Sequence, residues 1–81
     1  MKAVEWSEQA RADLRALDRP AAIRILEALT RFLETGHGDV RKLQGTKSEY
    51  RLRVGDWRVR FADAPGVIRI LRVLHRKDAY R

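Results

Sequence analysis

The sequence predicts an α+β domain: an N-terminal strand, then two helices packed on one face of a mostly antiparallel sheet of about four strands. Three observations lead there. Apolar residues recur at three- and four-residue spacing from Ala10 to Leu33, and from Tyr50 onward they alternate at every second position. Two turn signals, Gly55-Asp56 and Pro65-Gly66, divide the second half into runs of strand length. With 81 residues, 44% of them apolar, the chain has room for one domain over residues 1–81 and enough apolar material for a core.

The elements follow in order. Lys2 to Trp6 reads as a short strand, with Ala3, Val4 and Trp6 apolar around Glu5. Ser7 can cap a helix, because its hydroxyl can accept from the free N–H groups of the first turn. Ala10, Leu14 and Leu17 then mark that helix. Asp18 is a second capping candidate, with Pro20 tolerated in the first turn beyond it. Ile23, Leu26, Thr30 and Leu33 form a stripe on the next helix, widened by Ile25, Leu29 and Phe32. Gly36 is the expected stop, since it tolerates the left-handed conformation that ends many helices.

His37 to Gly45 reads as a connector anchored by Leu43. Tyr50, Leu52 and Val54 alternate with Arg51 and Arg53. After the Gly55-Asp56 turn, Trp57, Val59 and Phe61 alternate with Arg58 and Arg60. Val67 to Leu74 is apolar except for Arg69 and Arg72, which places it more centrally in the sheet. His75 to Arg81 is a polar tail.

Charge is distributed unevenly. The net charge is +7, yet residues 1–40 hold six bases against seven acids, whereas residues 41–81 hold twelve bases against four acids. Fourteen of the eighteen bases are arginine, whose planar fork suits phosphate. This is the footprint of a protein that meets a polyanion.

The two-residue turn fixes a register in which Arg53 faces Arg58 and Arg51 faces Arg60. Because successive side chains point to opposite faces, these four arginines share one face. Tyr50, Leu52, Val54, Trp57, Val59 and Phe61 share the other, which must pack on the helices. A slip of one residue would drive the arginines into the core, so the apolar set forbids it. Like charges directly opposite each other destabilise a hairpin, and an anionic ligand offsets that repulsion.

Other chemistries find little support. The chain has no cysteine, so disulfides and thiolate metal sites are excluded and a reducing, cytoplasmic setting is expected. His37 and His75 lie far apart with no flanking carboxylate cluster, and no phosphate-cradling glycine loop is present. No run approaches the ~18 apolar residues of a membrane span. An arginine-rich site can nevertheless cleave RNA without a metal. The 2′-hydroxyl is a built-in nucleophile, and the protein must orient it, stabilise the phosphorane and protonate the leaving 5′ oxygen. Guanidinium groups suit the second task. His75 or Tyr80 can serve proton transfer, and Tyr80 can stack on a base.

The residues that carry this reading also carry a family resemblance. Four segments contribute: Val4-Glu5-Trp6-Ser7 with Ala10 and Leu14; Gly38 to Leu43; Tyr50-Arg51-Leu52-Arg53-Val54-Gly55-Asp56-Trp57-Arg58-Val59; and His75-Arg76-Lys77-Asp78-Ala79-Tyr80. The last two are the most specific. Nearly end to end, the chain resembles the RelE branch of the RelE/ParE toxin superfamily. The resemblance implies a RelE-like microbial ribonuclease fold and a toxin of a prokaryotic type II toxin–antitoxin pair. Such toxins enter the ribosomal A site, cut the bound mRNA without metal or cofactor, and are neutralised by a cognate antitoxin.

By the same resemblance, Arg51 and Arg53 fall where the family keeps basic residues, often lysines, near the attacking 2′-hydroxyl. Arg58 falls at the arginine that steadies the phosphate, Arg76 at the basic residue near the leaving oxygen, and Tyr80 at the aromatic that orients the mRNA. Arg60, His75, Lys77 and Arg81 are expected to bind RNA. Arginine in place of lysine at Arg51 and Arg53 keeps the charge but makes a poorer proton acceptor, so orientation and charge stabilisation carry more of the rate. Two alternatives stand beside this one: a ParE-like protein that inhibits DNA gyrase by binding, and a degenerate toxin that retains only antitoxin binding.

Overall fold

Ser7 sets the first boundary in the computed structural model, which describes residues 3–77. Its backbone is extended and its hydroxyl accepts from the Ala10 N–H at 3.0 Å, so strand β1 (Ala3–Trp6) gives way at once to helix α1 (Glu8–Arg15). Asp18 occupies the cap position of helix α2 (Arg19–Thr35) with Pro20 in its first turn. The Asp18 side chain makes no capping bond, contrary to expectation; its carbonyl instead accepts the first helical bond, from the Ala22 N–H. Gly36 ends α2 in the left-handed conformation, φ +76°, and donates to the Phe32 carbonyl at 2.8 Å.

Four further strands follow: β2 (Asp39–Lys42), β3 (Glu49–Val54), β4 (Trp57–Ala64) and β5 (Val67–His75). They join β1 in one sheet of order β1-β5-β4-β3-β2. Two expectations are corrected here. The sheet has five strands rather than about four, because the supposed connector contains β2, paired antiparallel with β3. The central strand is β4, with β5 second, between β4 and a parallel β1. His75 ends β5 and so does not belong to the tail. No helix among the described residues is long and apolar enough to cross a membrane.

The β3–β4 register is the expected one: Val54 pairs with Trp57, Arg53 with Arg58, Leu52 with Val59, Arg51 with Arg60 and Tyr50 with Phe61. Leu52, Val59 and Phe61 are buried, and Tyr50, Val54 and Trp57 pack against the same core. Phe61 lies at its centre, with ring centroids 5.3 Å from Phe32 and 5.6 Å from Tyr50. Each such fully buried side chain contributes roughly 1.5–3 kcal/mol. From the helices, Ala10, Ile25 and Leu29 complete the core. Ile23 and Leu26, placed by periodicity on the leading stripe, are 43% and 42% exposed.

A bulge in β5 explains how that strand serves the core. Arg60 pairs with Arg72 but Phe61 pairs with Ile70, leaving Leu71 as the extra residue. Ile70 and Val73 are three apart and would face opposite ways on an uninterrupted strand; with the bulge both are buried. The bulge is tied down by the β1–α1 junction. The Ser7 hydroxyl donates to the Leu71 carbonyl at 2.9 Å, and the Asp13 carboxylate accepts from the Val73 N–H at 2.9 Å.

Candidate nucleic-acid interface

The hairpin that builds the core also builds the opposite face. Alternation on paired strands sets Arg51, Arg53, Arg58 and Arg60 together there, away from the helices. Arg58 differs from its neighbours in burial: only 5% of it is exposed, although it is charged. Its Nη1 donates to the Gly55 carbonyl at 3.3 Å and the Trp57 carbonyl at 3.2 Å. The Nε of Arg53 donates to the same Gly55 oxygen at 3.3 Å. Two guanidinium groups therefore converge on one carbonyl at the hairpin tip. The Nε of Arg58 is buried and makes no hydrogen bond. Among the described residues this buried cation is held by neutral carbonyls alone, and none of them supplies the charge partner that would offset its desolvation.

The C-terminal end of β5 reaches this tip. The Arg76 N–H donates to the Asp56 carbonyl at 2.7 Å, and the Arg76 guanidinium lies 3.8 Å from the Asp56 carboxylate. Both side chains of that pair are mostly exposed, so the contact is worth little to stability and leaves Arg76 available. Arg60 meets Glu49 through a single 3.5 Å contact.

His75 pairs with Trp57, on the apolar face, and its ring meets the indole edge-on at 5.0 Å. Its Nδ1 accepts from the Lys77 N–H. The structure thus gathers Arg51, Arg53, Arg58 and Arg60 on one surface with Arg76 at its edge, and sets His75 behind them. Lys77 is exposed just beyond β5, while Tyr80 and Arg81 lie outside the described residues.

Two further residues belong to the surroundings. Arg41 pairs with Arg51 from β2 and so joins the arginine face; it was hidden when the segment read as a connector. Asp13 accepts from Arg72 Nε at 2.9 Å and Nη2 at 3.4 Å as well as from Val73. Burial works to raise the Asp13 pKa, but the bonds from Arg72, Val73 and Gln9 outweigh it and hold the carboxyl below its ordinary value. The same bond raises the Arg72 pKa. Among the described residues no three His, Cys, Asp or Glu side chains cluster as a metal site would require.

Chemically, this surface offers fixed positive charge. Paired guanidinium forks can grip a phosphate bidentately and stabilise charge that develops on it.

A family model described as the ParE toxin of type II toxin–antitoxin systems, parDE, matches residues 4–80. No curated protein matches significantly. Among solved structures, the RelB–RelE antitoxin–toxin complex from Methanococcus jannaschii is similar at 25% identity, covering 94% of each chain with a TM-score of 0.79. The archaeal RelE–RelB complex from Pyrococcus horikoshii is similar at 29% identity, covering 95% of this chain and 97% of that one, TM-score 0.78. The isolated RelE toxin of E. coli shares the fold at 18% identity, covering 99% and 92%, TM-score 0.79.

Proposed function

Since the chain belongs to the ParE toxin family of type II toxin–antitoxin systems, we propose that it is a toxin of the RelE kind: a metal-independent endonuclease that cuts mRNA in the ribosomal A site. The observation that carries this is the convergence of Arg53 and Arg58 on the Gly55 carbonyl, with Arg76 bound at the next residue. Three guanidinium groups around one hairpin tip suit a scissile phosphodiester, whose attacking 2′-hydroxyl is part of the substrate.

In this reading Arg58 holds the non-bridging phosphate oxygens, where charge grows as the phosphorane forms. Its burial strengthens that interaction, because water is excluded and the donor is fixed in place beforehand. Arg53 and Arg51 orient the 2′-hydroxyl side, and Arg76, exposed beyond the tip, lies by the leaving 5′ oxygen. Tyr80 stacks on a base of the codon. His75 sits on the far side of the strand from Arg58, so a proton relay through its ring would have to pass around the end of β5. The reading includes a cognate antitoxin; RelE toxins at 25% and 29% identity were solved in complex with one.

The test is primer extension on a translated message after addition of the purified protein. A new stop inside the A-site codon, absent when ribosomes are left out, supports the proposal. The family model carries the ParE name, which favours a second reading, gyrase inhibition. Intact message in arrested cells, with DNA breaks and an induced damage response, would establish that reading instead.

A further inference from the structure

Register places Arg41 of β2 opposite Arg51 of β3, and Arg51 opposite Arg60 of β4. Three arginines thus stand in one row across the outer face. Strands lie about 4.8 Å apart, so the row spans roughly 10 Å from Arg41 to Arg60. It runs beside the Arg53–Arg58 pair, two residues or about 7 Å further along the strands. The register continues to Arg72 of β5, but Asp13 draws that guanidinium away, so the row ends at Arg60.

Its two outer members, Arg41 and Arg60, are poorly neutralised by the described residues. Glu49 touches Arg60 only at 3.5 Å, and the Arg60 Nε is buried without a hydrogen bond. Among the described residues no carboxylate lies within ion-pair distance of Arg41. Elsewhere on the same face Arg69 does have its carboxylate, Glu5, at 3.5 Å. Like charges aligned across strands cost stability, and an anion bound along them removes that cost.

We propose that Arg41 and Arg60, on either side of Arg51, hold a second phosphate of the same single-stranded RNA, one register step from the phosphate at Arg53 and Arg58. The inference rests on the nuclease reading for the identity of the first phosphate. A positive track with guanidinium forks at successive steps follows an extended sugar-phosphate backbone, independent of base sequence. An acidic protein segment is the competing occupant, and the experiment separates the two.

Binding of a fully 2′-O-methylated RNA oligonucleotide, which offers no nucleophile, is measured by fluorescence anisotropy across a salt series. Each single-strand phosphate contact contributes a slope of about 0.7 in log K against log salt. The double variant Arg41→Gln/Arg60→Gln is expected to lose roughly 0.7 from the slope, the share of one phosphate, and about fivefold in affinity at 0.1 M salt. Arg41→Lys/Arg60→Lys should keep most of the slope, which guards against misfolding as the cause. Arg69→Gln, outside the row, should leave it unchanged. An unaltered slope in the double glutamine variant overturns the proposal, as does an equal loss in Arg69→Gln. Cleavage is read separately: wild type that leaves A-site mRNA intact while the row variant still loses slope refutes the nuclease reading and upholds this one.

Discussion

Replacing Asp13 by alanine tests how the sheet is held in the shape that presents the arginines. The Asp13 side chain is 11% exposed and accepts from the Val73 N–H, two Arg72 nitrogens and the Gln9 amide. Asp13→Ala leaves the Val73 N–H at the bulge without its acceptor, at a cost of about 1–3 kcal/mol. Arg72 is 41% exposed, so losing its ion pair adds only about 0.5–1 kcal/mol after solvent screening. The expected loss is roughly 1.5–4 kcal/mol, a fall in Tm of about 6–30 °C for a domain this size. Urea denaturation followed by far-UV circular dichroism measures it. The dependence on pH has a definite sign. Folding lowers the Asp13 pKa, so its contribution is complete above the ordinary carboxylate range and is lost as pH falls through the depressed folded value. The gap between wild type and Asp13→Ala should therefore narrow in acid. A variant within 0.5 kcal/mol of wild type at neutral pH would refute the argument that Asp13 secures the bulge.

Two other substitutions probe the packing behind the site. Ile25→Ala should cost about 2–5 kcal/mol, because Ile25 is fully buried, whereas Ile23→Ala should cost under about 1 kcal/mol; equal losses in thermal melts would mean that α2 is turned differently. At Gly38→Ala the new Cβ would sit 2.8 Å from Leu52 Cδ1, inside the core, so about 1 kcal/mol of overpacking is expected and a neutral result in urea titration would contradict it.

What could be read in advance follows from the range of each signal. The β3–β4 hairpin is short-range: strict alternation on both sides of Gly55-Asp56 fixes its register residue by residue, and with it the four-arginine face. Strand β2 escaped because an edge strand with Val40 as its single apolar residue carries no alternation to detect, and Arg41 was lost with it. Helix α2 has apolar residues on two adjoining stripes, and periodicity alone does not say which one meets the sheet. Ile25 and Leu29 meet it, leaving Ile23 and Leu26 outside. The parallel β1–β5 pair and the Asp13 latch join residues some sixty positions apart, where no local pattern exists. The burial of Arg58 depends on where the turn carbonyls point, and composition is silent about that.

Cleavage of mRNA by this surface needs a guanidinium fixed beneath the hairpin tip to receive a phosphate. The most direct measurement is single-turnover cleavage of A-site mRNA on programmed ribosomes by Arg58→Ala, with Arg58→Lys and circular dichroism as controls for folding. Acting as a preorganised donor to developing negative charge, Arg58 should contribute about 2.7–4 kcal/mol, so the rate should fall by about 10²–10³-fold while the fold persists. Cleavage at the wild-type rate by a folded Arg58→Ala protein would contradict it.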